Sequence, residues 1–329
     1  MKKLYDDKLI VVTGGAGFIG SGVIQVLNDR GFTNILVVDN LGTTEKWKNL
    51  VGKRFVDVLH KDQLFTFLER REDDIEAFIH LGACSNTLEV DANYLLENNY
   101  RYTIKLAEYA LDHGHRFIYS SSASSYGSGF DGFSDDHDCL ETLRPLNMYG
   151  YSKHLADLWA KREGILNQIV ILKYFNVFGP NEYHKGRMTS AIVKMLSDVL
   201  NKGVVQLFQS DEPARFADGE QRRDFIYVKD VARMTVAFLE NKATGIFNIG
   251  TGAAGSWNEL ARAVFAAVEK EPNISYIEMP TDLKGKYQNF TQAETEKVRK
   301  ALGSIAETMP LQASVADYVQ NYLLKGSRW

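Results

Sequence analysis

Tyr149 and Lys153 stand four residues apart in Asn147-Met-Tyr149-Gly-Tyr-Ser-Lys153, which runs into the helix-period pattern His154-Leu-Ala-Asp-Leu-Trp-Ala-Lys161. Both side chains therefore project from one helix face. A phenol beside an ammonium is a proton-transfer pair. To act as a base near neutrality the phenol must fall by about three units from ~10, which is roughly 4 kcal/mol at about 1.36 kcal/mol per unit. An ammonium about 4 Å away supplies on the order of 4 kcal/mol at an effective dielectric of about 20. Among 16 tyrosines a Tyr-x-x-x-Lys match is readily met by chance, and alone it describes a solvated helix face. Here it is the only match, and it follows the serine-rich strand end Ser120-Ser-Ser122. Ser122 can hydrogen-bond the oxygen whose proton is moved and so orient it.

The N-terminal stretch Lys8-Leu-Ile-Val-Val-Thr-Gly-Gly-Ala-Gly-Phe-Ile-Gly20 could cradle a pyrophosphate. An apolar strand leads directly into Gly14, Gly17 and Gly20 and then into an amphipathic helix. Gly14 permits the tight turn, Gly17 lets backbone approach a pyrophosphate, and Gly20 lets the helix lie close to the sheet. The helix N-terminus offers free N–H groups and the positive end of its dipole. The next apolar run, Asn34-Ile-Leu-Val-Val-Asp39, ends in an acid about 20 residues after the last glycine, where a carboxylate meets the adenosine ribose.

Apolar runs at Lys8–Thr13, Ile35–Asp39, Ala77–Leu81, Phe117–Ser120, Ile169–Leu172 and Ile246–Ile249 alternate with helix-period segments. That alternation predicts an α/β fold with a Rossmann-type, doubly wound parallel sheet. Ligands of such sheets lie at the carboxyl ends of the strands, and these runs end in small or polar residues that would line one cleft. The polar stretch Phe208–Gln221 and the tail after Trp257 are expected to form a smaller, discontinuous lobe over that cleft. The expected division is 1–175 with 224–252 for the dinucleotide-binding domain, and 176–223 with 253–329 for the substrate-binding one. With 329 residues, 45% hydrophobic, the chain can bury a sizeable core. A net charge of −4 with scattered basic residues argues against a nucleic-acid surface. Cys84 and Cys139 are too few for a disulfide framework or a structural zinc, so no metal is expected. Asp6 and Asp7 interrupt the only signal-like start, no run approaches a membrane span, and a cytoplasmic location is expected.

These three motifs together resemble the extended short-chain dehydrogenase/reductases acting on nucleotide sugars. A narrower set is similar to the ADP-L-glycero-D-manno-heptose 6-epimerases and covers nearly the whole chain. It comprises Val37-Val-Asp-Asn-Leu41, Gly82-Ala-Cys-Ser85, Asn98-Asn-Tyr100, Pro145-Leu-Asn147, Tyr174-Phe-Asn-Val177, Gly179-Pro180, His184-Lys-Gly186, Arg223-Asp-Phe225, Leu283-Lys-Gly285, Tyr287-Gln288 and Phe290-Thr-Gln-Ala293. The resemblance implies tightly held NADP, removal of hydride from C6″ of an ADP-heptose, reorientation of the ketone, and return of hydride to its other face. Such enzymes supply precursor for the lipopolysaccharide inner core. Two bases follow from the resemblance, Tyr149 and a second-domain lysine, Lys185; from sequence alone Lys185 is a solvated loop residue, and His184 is its competitor. Further cofactor contacts implied are Phe18, Ile19, Asn40, Lys46, Lys61, Leu81, Gly82, Ala83, Cys84, Ser85, Asn98 and Val177, with Lys153 and Lys185.

Asp39 by itself favours an unphosphorylated ribose, since its charge repels a 2′-phosphate; the resemblance, with Lys46 matching a cofactor-binding lysine, implies NADP with tolerance of NAD. Around the nucleotide sugar it implies Ser122, Asn176, Arg187, Lys194, Phe208, Gln209, Ser210, Asp211, Arg223 and Tyr287. Arg223 is chemically apt for diphosphate, because guanidinium forks bind such oxygens bidentately; the plain alternative is an ion pair with Asp224 or Asp230. Arg187 stands at a small-residue position of the family, and Asp211–Gln221 is longer than its usual loop. A homo-oligomer, a pentamer, is implied, with neither nucleic acid nor membrane as partner. The rivals are a UDP-hexose 4-epimerase or dehydratase type, which lacks Lys185 in its present context, and a non-catalytic dinucleotide sensor, which loses the tyrosine or lysine.

Overall fold

A computed structural model describes residues 7–281 and 288–329. Seven strands form one parallel sheet: β1 (Leu9–Thr13), β2 (Ile35–Asp39), β3 (Asp57–His60), β4 (Ile75–His80), β5 (Arg116–Ser122), β6 (Val170–Tyr174) and β7 (Gly245–Ile249). Their spatial order is β7-β6-β5-β4-β1-β2-β3, which reverses direction between β1 and β4. A crevice opens at such a reversal.

Strict alternation along the strands feeds two separate cores. Ile10, Val12, Ile35 and Val37 face one side, where they meet α1 (Phe18–Asp29). Val11, Leu36, Val38 and Phe78 face the other, under α2 (Tyr102–Asp112) and α3 (Met148–Arg162). Every residue of β2 is buried, which is why its sequence is an unbroken apolar run. The run list from sequence omits β3. That strand, Asp-Val-Leu-His, closes one edge of the sheet with both end residues exposed, so too little apolar surface marks it.

A third core lies beyond the strand ends. Helices α4 (Ala191–Asn201), α5 (Val228–Glu240), α6 (Trp257–Ala267) and α7 (Leu311–Tyr318) follow in the chain. Ile192, Met195 and Val199 of α4 pack with Leu260 and Val264 of α6 and Val315 and Tyr318 of α7. A parallel pair, Val205–Phe208 with Ile274–Ile277, stands beside them. The chain returns to the large sheet through Phe225–Tyr227, which pairs with Asn176–Phe178, and α5 then leads into β7. Val298 and Leu302 join the core of the large sheet, so the segment after residue 253 divides its packing between the two bodies. Among the described residues no helix is long and apolar enough to cross a membrane.

Candidate active site

The turn after β1 is built to exclude side chains. Gly14 has φ +67°, and a Cβ there would meet the Gly82 backbone at 2.7 Å; a Cβ on Gly20 would lie 2.1 Å from the Gly14 carbonyl oxygen. Gly17 is the N-cap of α1 and no side chain caps that end, while the first turn carries no acid. The uncapped N–H groups and the dipole end of α1, with no acid in its first turn, make a cradle that fits a pyrophosphate. Asp39, at the end of β2, secures the same loop. One carboxylate oxygen accepts from Ala16 N–H at 2.9 Å, and the other from Asn40 N–H at 2.7 Å and the Lys46 ammonium at 2.6 Å.

A cleft of about 540 Å³ runs from this cradle along the strand ends. Its wall includes Gly14, Gly17, Phe18, Ile19, Gly20, Asp39, Asn40, Lys46, Lys61, Asn98 and the Leu81-Gly-Ala-Cys-Ser85 turn. Lys61 donates to the Asn98 side-chain oxygen at 2.7 Å, closing the rim. Ser122, Tyr149, Lys153, Val177 and Lys185 line the same cleft, so every residue expected at the cofactor meets here.

Asn147 caps α3 by accepting from Gly150 N–H at 2.8 Å, and this sets Tyr149 and Lys153 in the first two turns. Gly150 packs so tightly on Ser124 that a Cβ would come within 2.6 Å of its carbonyl oxygen, which brings the helix against the end of β5. Ser122 favours the ionised form of Tyr149, and the Ser122 hydroxyl oxygen accepts from Ser124 N–H at 3.1 Å. Lys153 is 2% exposed, donates to the Ser120 carbonyl at 2.7 Å and lies 4.8 Å from the Tyr119 ring centre.

The electrostatics differ from the expectation of a lowered phenol. Burial pushes Tyr149 above its ordinary value, against the effect of Ser122, and the Cys84 thiol adds to the rise. The same burial brings Lys153 down to about 7, with Asp157 pulling the other way. Helical spacing sets the two side chains on one face of α3, but desolvation weakens the charge on which that argument relies.

The turn Tyr183–Met188 brings His184 and Lys185 into the same cleft. Lys185 lies 5.2 Å from the Phe18 ring centre and is lowered by burial, an effect that Glu182 opposes. His184 accepts from Asn49 at 3.3 Å and is lowered to about 4 by burial and by Lys46 and Lys185.

Of the described residues expected around the sugar, Ser122 alone lines this cleft. Arg187, Lys194, Asn176 and Gln209 are exposed. Ser210 N–H donates to Asp218 at 2.9 Å, Asp211 accepts from Asn289 at 2.9 Å, and Phe208 ends its short strand. Arg223 is buried, donates to the Arg222 carbonyl at 2.9 Å and lies 5.9 Å from the Trp257 ring centre. Of its suggested ion-pair partners, Asp224 accepts from Thr251, Gly252 and Ala293, and Asp230 pairs with Arg233 at 2.9 Å. Tyr287 lies outside the described residues, as does Leu283-Lys-Gly285. Among the described residues no cluster of acids, histidines and cysteines is suited to a metal, and both cysteines are free.

Residues 10–250 match the family model described as the NAD dependent epimerase/dehydratase family. The chain belongs to that family. Within it, this epimerase-family chain is 51% identical over 318 residues to the ADP-L-glycero-D-manno-heptose-6-epimerase of Nitratidesulfovibrio vulgaris, covering 96% of this chain and 98% of that one. It is 45% identical over 329 residues to the protein of the same name from Fusobacterium nucleatum, with the same two coverages, 96% and 98%. Among solved structures, the Helicobacter pylori ADP-L-glycero-D-manno-heptose-6-epimerase superposes with a TM-score of 0.79 at 26% identity, covering 96% of each chain. A Bacillus cereus UDP-glucuronic acid 4-epimerase, solved with UDP-glucuronic acid and NAD, gives 0.74 at 28% identity, covering 95% of this chain and 99% of that one.

Several wall residues of this epimerase-family cleft were not anticipated. Asn86 comes from a loop, Tyr94 from the short helix Ala92–Leu95 and Met188 from the end of the turn Tyr183–Met188, none with a local signal. Tyr174 and Phe175 also line it, at the end of β6, where the strand-end rule could have found them. The Ser120–Ser122 strand end, expected to line the cleft, does so.

Proposed function

We propose that this protein epimerises ADP-D-glycero-D-manno-heptose to ADP-L-glycero-D-manno-heptose at C6″, using a nicotinamide dinucleotide retained through the cycle, and so supplies inner-core heptose for lipopolysaccharide. The observation that carries the reading is one cleft lined by Ser122, Tyr149, Lys153 and Lys185 together, in a chain 51% identical to a named heptose epimerase.

The Gly14–Gly20 turn and the α1 terminus would hold the pyrophosphate, and Asp39, Asn40, Lys46 and Lys61 the adenosine end. When bound, the nicotinamide ring accepts the C6″ hydride and returns it. This carbon needs that route, because no adjacent carbonyl stabilises a carbanion there. Tyr149 holds the proton of the C6″ oxygen in one half-reaction, with Ser122 fixing that oxygen. Its raised value means that positive charge must be brought close before it serves as a base, and protonated Lys153 is the chain's own source. After the ketone turns over, its oxygen faces Lys185, which serves in the other half-reaction. His184 at about 4 is a much weaker base, which favours Lys185 of the two.

Asp39 bears on cofactor choice. Its carboxylate is already paired with Lys46 at 2.6 Å, so it does not offer the lone charge that would repel a 2′-phosphate. This supports NADP, with NAD tolerated. Residues 176–223 and 253–329 would close over the sugar nucleotide, with Arg223 toward the diphosphate. A cytoplasmic homo-oligomer, a pentamer, completes the reading.

The test is incubation of purified protein with ADP-D-glycero-D-manno-heptose without added nicotinamide, followed by anion-exchange separation of the two epimers. Approach to a mixture is expected. No conversion, with none after NADP is added, would move the substrate to another nucleotide sugar.

A further inference from the structure

Beneath the cleft lies a charged pair that the reaction does not use. Lys173 of β6 and Asp157 of α3 are both fully buried, with the ammonium 2.7 Å from one carboxylate oxygen. Asp157 follows Tyr149 and Lys153 at four-residue steps on α3, so it points down the face that carries the proton-transfer pair.

The pair grips the end of β5 on both sides of Ser122. Ser121 donates its hydroxyl to the same Asp157 oxygen at 2.8 Å, and Lys173 donates to the Ser125 hydroxyl oxygen at 2.5 Å. An ammonium can only donate and a carboxylate can only accept, which sets the direction of every bond in the chain. Ser125 must accept from Lys173, so its single proton is directed onto the Ser122 carbonyl, 2.8 Å away. Beyond Ser125, Lys173 lies 4.8 Å from the ring centre of Tyr126, whose hydroxyl is anchored on Asn248 of β7 at 2.7 Å.

We propose that Asp157 and Lys173 are positioning residues: through Ser121 and Ser125 they lock the strand end bearing Ser122 to the helix bearing Tyr149 and Lys153. Neither charge touches the substrate oxygen. What they set is the distance and direction of the Ser122 hydroxyl relative to the phenol, and a catalytic group displaced by about 1 Å loses on the order of a hundredfold in rate. The proposal rests on Ser122, Tyr149 and Lys153 forming the reaction centre.

Two variants test it. Lys173→Met removes the grip on Ser125 and leaves Asp157 buried without its partner, which is strongly destabilising; Ser121→Ala/Ser125→Ala removes only the two hydroxyl links and keeps the ion pair. In each folded variant kcat is expected to fall by tenfold or more on the order set by misplacement, with KM for the ADP-heptose and retained cofactor unchanged. A second readout needs no turnover. The ultraviolet ionisation of Tyr149, taken as the difference from the Tyr149→Phe counterpart in the presence of NADP, should move to higher pH, since Ser122 is what opposes burial. The titratable groups facing that phenol, Cys84, Tyr119 and Lys153, are untouched by the serine variant. A parent protein that leaves the heptose unchanged refutes the functional reading, and the titration then still decides this one. A folded serine variant with parental kcat and an unshifted Tyr149 titration overturns the proposal.

Discussion

Replacing Gly20 by alanine tests the cradle at its tightest point. The added Cβ would lie 2.1 Å from the Gly14 carbonyl oxygen and 2.8 Å from the Gly15 Cα, both backbone atoms that cannot swing aside as a side chain can. Relief requires the turn and helix to separate by about 1 Å, judged against ordinary contact distances. The turn is pinned from both ends, since Gly14 N–H donates to Val38 at 2.7 Å and Gly17 N–H donates to Gly14 at 3.0 Å. Overpacking of this kind costs about 1–3 kcal/mol, and losing the Gly17 bond adds about 1 kcal/mol. Gly17→Ala is the matched control. Its φ of −70° suits any residue and its Cβ would be 3.0 Å from the nearest atom, so the fold should tolerate it while the methyl group enters the pyrophosphate cradle. Urea unfolding and nucleotide released on denaturation should therefore separate the two: Gly20→Ala loses stability and cofactor, Gly17→Ala chiefly cofactor. A Gly20→Ala protein with parental stability and a full complement of nucleotide would refute the close approach.

Tyr149→Phe with Lys185→Met should abolish epimer exchange while nucleotide stays bound, and residual turnover above about a thousandth of parent would defeat the two-base assignment. Lys46→Met should weaken NADP by about tenfold, the loss of one charged contact, and NAD far less; equal losses measured by calorimetry would remove Lys46 from cofactor choice. His80, hydrogen-bonded to Thr13 at 2.6 Å and Thr103 at 2.9 Å, is lowered to about 3 by burial and then by Lys153. Between that value and 6.5 the unfolded chain binds a proton that the native one refuses, so this contribution is complete above pH 6.5 and is lost as pH falls. By about pH 4 the loss is on the order of 3 kcal/mol. His80→Asn should show a correspondingly shallower fall in urea midpoint between those pH values, and parallel curves would count against a neutral buried imidazole.

How much was legible beforehand follows from how local each signal is. Six of the seven strands announced themselves as short apolar runs because both their faces are buried, whereas β3, exposed at an edge, left no such trace. The glycine spacing and the Tyr149–Lys153 step were readable because turn and helix geometry map sequence distance directly onto space. The residues expected at the cofactor came from strand ends and from resemblance, and all of them line one cleft. Lys185 carried no local mark; a lysine in a loop is a surface residue until something buries it.

The order of apolar runs and glycines was enough to specify a parallel, doubly wound sheet with an anion cradle at its first turn, because backbone sterics and side-chain periodicity act over a few residues. Charge states were decided only by the assembled protein. Tyr149 rises and Lys153 falls because β5, α3 and the turn after β4 together exclude water from both. Asp39 lost its free charge to Lys46, seven residues on, and Lys173 met Asp157 across two elements. Desolvation and long-range pairing are properties of the packed interior, and no spacing rule along the chain contains them.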